Sequence, residues 1–438
     1  MVIRPGIRRV FKALVINPIS TDRAQIYNPG YLVIRNGCIE QLSGNDPSSE
    51  WSSREFHDYS GLAILPGFVD THVHLPQFPI MGIADGQLLE WLNQYTYPEE
   101  TRFSNSEYAS VVSELFFDAL LANGTTCACI YASIHEQATN IAFEVAKRKG
   151  LRAFIGKTMM DRESPVNLME STEDSIHASL RLFEKWDGAE GGRLRYVFTP
   201  RFAKSCSFQL MSRVGELARE RQAFIQTHLS ENREEVGQVR SLFPDCKSYT
   251  DVYAEAGLLS DRTVMAHCIH VDDNEIALLV QSATRVAFCP YSNRVLQSGV
   301  MPFSRLTQAG LTVGLGTDVA GGPSLSMFRQ MGEALNSANV EGPVLNPAGA
   351  LYLATMGGAH ALGLPDRIGN FAPGKDADFL VVDYLRADPL AGSGAYNSPE
   401  HILSRLCYNS DAHCVAGVYV RGEKVHRTTA HGQQIVLE

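Results

Sequence analysis

Between residues 66 and 320 the chain alternates short apolar runs with longer stretches of mixed polarity. Eight runs recur, at 67–74, 125–132, 151–160, 194–201, 223–231, 263–270, 285–293 and 312–319. Near-continuous apolar runs suit parallel strands buried on both faces, and the intervening stretches suit the helices that cover them. One such helix is expected from Ser104 to about Ala122. Ser104 and Glu107 have capping-box spacing, Tyr108, Val111, Val112, Leu115, Phe116 and Leu120 make an apolar stripe, and Asn123-Gly124 is a stop. Eight βα units predict an α/β fold, a (β/α)8 TIM-like barrel over 67–369, with chemistry at the carboxyl ends of its strands.

The flanks follow a different rhythm. Residues 13–17, 31–35 and 38–42 alternate as short strands around an Asn36-Gly37 turn; 379–382, 415–420 and 424–425 do the same around Arg421-Gly422. Neither flank is long enough for a core of its own. The expectation is a small β-sandwich formed by both termini, 1–66 with 370–438. The mildly basic start lacks an apolar h-region and runs straight into Ala13-Leu14-Val15-Ile16, which predicts a strand and not a signal peptide.

Composition narrows the class. With 45% hydrophobic and 20% charged residues, the 438-residue chain can bury a sizeable core. A net charge of −10 argues against a nucleic-acid partner, and no apolar stretch approaches bilayer length. Nine scattered cysteines do not form a disulfide framework, so a reducing, cytoplasmic setting is expected. Cys127 and Cys129 lie in an apolar strand and are expected to pack, not to bind metal.

The polar residues that interrupt this pattern fall at the strand ends. Asp70-Thr71-His72-Val73-His74 closes the first run, and residues two apart on a strand share a face, so His72 and His74 converge. His228 with Glu231, His267 and Asp318 close later runs. Three imidazoles and a carboxylate (His72, His74, His228, Asp318) suit one catalytic zinc, which lowers the pKa of bound water. Asp318 is placed to take the water proton, Glu231 to shuttle a proton to a substrate ring nitrogen, and His267 to be a further ligand or a donor to the attacking water. Arg201, ending strand four, offers a planar fork for a carbonyl oxygen, and Gln77 an amide for a heterocycle edge. No lysine ends strand four (Lys204 lies three residues beyond Arg201), which favours one metal over two. The connection 75–103 is long for a βα loop, and its Phe78, Trp91, Tyr95 and Tyr97 suggest an aromatic cover over the barrel mouth.

These segments resemble the amidohydrolase superfamily and, within it, the guanine deaminases. The superfamily likeness rests on Pro-Gly-Phe-Val-Asp-Thr-His-Val-His at 66–74, the later ligand strands, and Gly-Asn-Phe-Ala-Pro-Gly-Lys-Asp-Ala-Asp at 369–378. The narrower likeness rests on Leu-Leu-Glu-Trp-Leu at 88–92 with Tyr95-Thr96, and on 152–157, 199–202, 226–232 and 314–322. The resemblance implies zinc held by His72, His74, His228 and Asp318, protons handled by Glu231 and Asp318, and a purine touched by 74–77, Arg201, Phe202 and Glu231. It further implies attack on C2 of guanine to give xanthine and ammonia, and a homodimer. Phe288 stands where relatives carry histidine and Cys268 where glycine is usual. Both are expected near the ring-binding end, leaving 8-oxoguanine, a pterin or a triazine as rival substrates. A catalytically silent scaffold would have lost ligands or the acid–base carboxylate, and all are present.

Overall fold

The alternating flanks do pair. In the computed structural model, which describes residues 6–47, 54–340, 342–389 and 397–427, the first flank forms β1 (Arg8–Pro18), β2 (Ala24–Arg35), β3 (Cys38–Ser43) and β4 (Arg54–Pro66). Residues 1–5 and 428–438, the outer ends of the expected terminal sandwich, lie outside the described residues. The Asn36-Gly37 turn joins β2 to β3 with both residues at positive φ, 54° and 80°. This is the geometry a tight hairpin requires.

The barrel strands follow: β5 (Phe68–His74), β6 (Thr125–Tyr131), β7 (Arg152–Gly156), the two-residue β8 (Thr158–Met159), β9 (Leu194–Pro200), β10 (Phe224–Leu229), β11 (Thr263–His267), β12 (Arg285–Phe288) and β13 (Val313–Leu315). The second flank adds β14 (Phe379–Val382), β15 (Val415–Val420) and β16 (Glu423–Arg427). One seven-stranded sheet results, in the order β16-β15-β14-β4-β1-β2-β3. Its alternation divides two apolar faces. Phe11, Ala13, Val15, Ile64, Phe379 and Tyr419 make one cluster, while Leu14, Ile16, Ala63, Leu65 and Leu380 join the core shared with the barrel helices. The flanks therefore meet in a single hydrogen-bonded sheet. β4 is a strand that the sequence pattern concealed, because its first half carries charged and polar residues between Phe56 and Tyr59.

Parallel pairing runs β5-β6-β7-β9-β10-β11-β12-β13, with β8 beside β9, giving the expected eight-stranded barrel. Its ends close by less regular bonds. Thr71 Oγ1 donates to the Leu315 carbonyl at 2.8 Å, Asp318 N–H to that of His72 at 2.8 Å, and His74 N–H to that of Val319 at 3.0 Å. Gly316 permits this approach, since a Cβ there would sit 2.8 Å from the Cβ of His72. Val69, Cys127, Cys129, Phe154, Val197, Val264, Ala287 and Cys289 fill the barrel interior, so the Cys127 and Cys129 expectation of packing holds. All nine cysteines are free thiols.

Three local expectations need correction. The helix after β5 spans Ser106–Ala122, and Asn105, not Ser104, caps it by accepting from the Glu107 and Tyr108 amides. Its buried face is Ala109, Val112, Phe116, Phe117, Leu120 and Leu121, so Val111 and Leu115 lie at the margin. Strand seven ends at Phe288, because Pro290 opens the helix Pro290–Val295, where a missing N–H and a fixed φ are assets. Phe288 itself points away from the barrel interior and stacks on Phe303 at 5.5 Å.

Candidate active site

The carboxyl ends of β5, β10, β11 and β13 converge at the barrel mouth. His72 and His74 come from alternate positions of β5, and their Nε2 atoms lie 3.2 Å apart. His228 Nε2 lies 3.3 Å from His74 Nε2, and Asp318 Oδ1 lies 3.2 and 3.3 Å from the His72 and His74 nitrogens. A tetrahedron of metal–ligand bonds of about 2.1 Å has edges of about 3.4 Å. Four of the six separations among these donors thus match those around one metal ion, and the other two lie within 4.8 Å.

The tautomer agrees. His228 Nδ1 sits 2.6 Å from the Arg201 carbonyl, which can only accept, so Nδ1 carries the proton and Nε2 offers its lone pair. His267 Nε2 also comes within reach, with donor atoms of His72, His228, His267 and Asp318 mutually within 4.8 Å. His267 Nδ1 meets Asn293 Oδ1 at 2.8 Å, and its buried Nε2 has no hydrogen-bond partner. It lies 3.8 Å from Asp318 Oδ2 and 3.5 Å from Glu231 Oε2. An orphaned buried nitrogen of this kind fits an ion, or the water beside one.

The backbone is strained at the same level. Ser230, His267, Cys268 and Asp318 have φ of 49°, 72°, 50° and 50°, the left-handed region that side-chain-bearing residues avoid. Asp70 anchors the strand ends from below, accepting from Thr317 N–H at 3.0 Å, His72 N–H at 3.2 Å and the Thr317 hydroxyl. Burial raises its carboxyl to about 6 against those hydrogen bonds.

A cavity opens onto these donors, lined by His74, Gln77, Arg201, Phe202, His228, Glu231 and Asp318 together with Leu88, Trp91, Leu92, Leu296 and Gly321. The long connection reaches the mouth, but of its expected aromatic cover Trp91 lines the cavity while Phe78, Tyr95 and Tyr97 do not. Its turns at 75–80 and 88–101 bring Gln77, Leu88, Trp91 and Leu92 to the cavity wall, and the Trp91 indole donates to the Ile83 carbonyl at 2.7 Å.

The two carboxyls are driven in opposite directions. Burial, and then the charge of Asp318, push Glu231 well above the ordinary carboxylate range. Burial also opposes ionisation of Asp318, but the His72 and His74 imidazoles beside it outweigh burial and hold that carboxyl well below the ordinary range. Burial lowers His72 and His228, and lowers His74 to about 4, so all three are neutral donors. One acid kept protonated beside one kept ionised is an acid–base pair.

Gln77, Arg201, Phe202, Glu231, His74, His228 and Asp318 line this cavity, and the His72 and His267 donor atoms lie within 4.8 Å of those of His228 and Asp318. Two expectations about the surroundings do not hold. Phe288 and Cys268 do not line the cavity: Phe288 faces the helix layer, and Cys268 is buried behind β10, its N–H donating to the Leu229 carbonyl. The sequence also concealed Glu100, whose carboxylate takes Arg201 Nη1–H at 2.5 Å and Gln77 Nε2–H at 3.1 Å. Leu296, Ser298 and Gly321 were concealed as well, since they sit in loops without periodicity.

A (β/α)8 barrel with histidine and aspartate donors clustered at its carboxyl face has the architecture of a metal-dependent hydrolase. The amidohydrolase family model matches residues 63–425. Guanine deaminase of Escherichia coli (strain K12) is 40% identical over 363 residues, covering 81% of each chain. Guanine deaminase of Dictyostelium discoideum is 34% identical over 441 residues, covering 95% of this chain and 98% of the relative. The crystal structure of guanine deaminase from C. acetobutylicum with guanine bound in its active site superposes with a TM-score of 0.90 at 31% identity, covering 96% of this chain and 100% of that one. The chain belongs to the amidohydrolase family, in its guanine deaminase branch.

Proposed function

We propose that this protein is a guanine deaminase, hydrolysing guanine to xanthine and ammonia. The observation that carries this reading is one cavity that joins the His72–His74–His228–Asp318 donor set to Glu231 and to the planar groups of Arg201 and Gln77. It rests as well on relatives of that name at 34–40% identity. The donor set suits one zinc per chain: three neutral imidazoles and one carboxylate, with His74 3.2–3.3 Å from three neighbouring donors and Asp318 from two. Such an ion supplies Lewis acidity that eases deprotonation of water near neutral pH.

The chain's own residues do the rest. Asp318, ionised, accepts a proton from the water that attacks C2. His267 Nε2, facing both Asp318 and Glu231, holds that water in line. Glu231, protonated, gives its proton to the ring nitrogen beside C2, so that electron density from the attacked bond has somewhere to go. The proton held by Asp318 then passes to the departing amine, the C2–N bond breaks, and ammonia leaves as the C2 hydroxyl returns its proton to Glu231 and the C2 carbonyl of xanthine forms. Arg201 and Gln77 orient the ring, Phe202 and Leu296 hold its faces, and Leu88, Trp91 and Leu92 exclude bulk water. Residues 1–66 with 370–438 serve as a supporting domain to the hydrolase barrel of 67–369, in a cytoplasmic homodimer. No helix among the described residues is long and apolar enough to cross a membrane.

Ammonia release from guanine, 8-oxoguanine, pterin and cytosine, measured in parallel on zinc-loaded protein, tests the reading. Turnover of guanine far above the other three is expected. Turnover of another heterocycle with silence on guanine overturns the substrate, and silence on all four overturns the pocket assignment.

A further inference from the structure

Glu100 is 6% exposed, and its two carboxylate oxygens meet Gln77 and Arg201. It lies on the short helix Tyr97–Thr101 beside Glu99, but the two carboxylates serve opposite sides. Glu99, also buried, turns away from Arg201 and meets Arg102 and the Tyr108 hydroxyl. Glu100 faces the cavity wall, one oxygen on Arg201 and the other on Gln77. The ring of Tyr97, from the same helix, lies 5.3 Å from the Arg201 guanidinium. One short helix thus clamps the arginine by charge and by ring.

Two consequences follow from elementary chemistry. Gln77 Nε2 donates to Glu100, so Gln77 Oε1 is the atom that accepts from the Ala320 N–H at 3.2 Å. A carboxylate cannot donate, and Glu100 therefore fixes which end of the Gln77 amide faces which side of the cavity. The Arg201 charge is also cancelled in place. Arg201 is 3% exposed and its partner is a carboxylate at hydrogen-bond distance. The pair presents directional N–H donors with no net charge.

We infer that Glu100 is a positioning and specificity residue that neutralises Arg201, so that the cavity holds a neutral ring and releases an anionic one. This rests on the reading of the substrate as guanine, because guanine is neutral near pH 7 whereas its dioxo product ionises more readily at a ring N–H. An Arg201 without its counter-charge would bind the anionic product and slow its departure. Glu100 makes the site selective against its own product.

The test compares the zinc-loaded wild type with Glu100→Gln, Glu100→Asp and the double variant Glu100→Gln/Arg201→Gln. Xanthine binding is measured by titration calorimetry at one pH below and one above its ring ionisation, and guanine turnover is followed by ammonia release. In Glu100→Gln, the xanthine anion is expected to bind about ten-fold or more tightly than in the wild type, since an unscreened charge at close range is worth at least that much. Neutral xanthine changes far less. Glu100→Asp, which keeps the charge, restores the wild-type preference, and the double variant, which has no charge to expose, loses the tightening. Equal tightening for neutral and anionic xanthine, or tightening that survives in the double variant, overturns the inference. Should Glu100→Gln fail to fold, the wild type decides alone: a marked preference for the xanthine anion over the neutral form contradicts charge cancellation. Calorimetry reads product binding whether or not guanine is turned over, so failure of the substrate reading shows separately, as absence of ammonia from the wild type.

Discussion

Thr317→Val is the most informative perturbation beneath the metal donors. Valine matches threonine in shape but removes the hydroxyl that donates to Asp70, while the Thr317 N–H bond to Asp70 remains. Asp70 is fully buried, so the oxygen deprived of its donor finds no water in exchange. Losing one hydrogen bond to a buried charged group costs about 1.5–3 kcal/mol. With an unfolding entropy of about 2.1 cal/mol/K per residue across 438 residues, a loss of about 2 kcal/mol lowers Tm by only about 2 °C. The effect on metal should be larger. Asp70 also accepts from the His72 amide, and the neighbour of Thr317 is Asp318, so the same contact sets the spacing of two donors from opposite edges of the barrel seam. Loss of a group that orients metal ligands weakens affinity by about 10- to 100-fold. Competition with a graded series of chelators measures the affinity, and calorimetry the Tm. Metal affinity within about two-fold of wild type, alongside the small Tm loss, would show that Asp70 and Thr317 only support the fold.

Glu231→Gln keeps the shape and cannot transfer the proton, so kcat for guanine falls about 10²- to 10⁴-fold with metal content unchanged; steady-state ammonia release with parallel metal analysis checks this. Gly316→Ala places a Cβ 2.8 Å from the His72 Cβ and 3.0 Å from the Cys289 sulfur, forcing β13 away from β5; purified protein should carry markedly less metal than wild type, read by elemental analysis. Burial lowers five histidines outside the site, His57, His135, His270, His360 and His426, below the ordinary 6.5. The unfolded chain then takes up protons first, so stability present above about pH 6.5 is lost as pH falls through the lowered folded values. Denaturant midpoints should drop between pH 7.5 and 5. His57→Phe, which keeps the stack on Phe11 at 4.5 Å, should recover part of that drop.

Much of this architecture was legible because parallel barrel strands are buried on both faces and leave apolar runs, so the residues that break those runs stand out. His72, His74, His228, His267 and Asp318 all do so, and the structure brings their donor atoms together. What stayed hidden lacks a periodic signature. Glu100 owes its role to Arg201, one hundred and one residues away in sequence, and nothing local separates it from its neighbour Glu99, which pairs with Arg102 and Tyr108 instead. β4 is half exposed, so its polar residues masked a strand that bridges the two termini. Phe288 shows the opposite limit. Its departure from the family pattern suggested a substrate change, yet alternation along β12 turns it outward, while Ala287 and Cys289 face the interior.

The most direct test of the central claim is a zinc titration of metal-free protein, followed through the ammonia and xanthine formed from guanine. Activity should rise linearly to a plateau at one equivalent per chain, with ammonia and xanthine produced in equal amounts. A plateau that needs two equivalents would contradict the single histidine–aspartate centre. Guanine left intact by folded protein carrying one zinc would contradict the function.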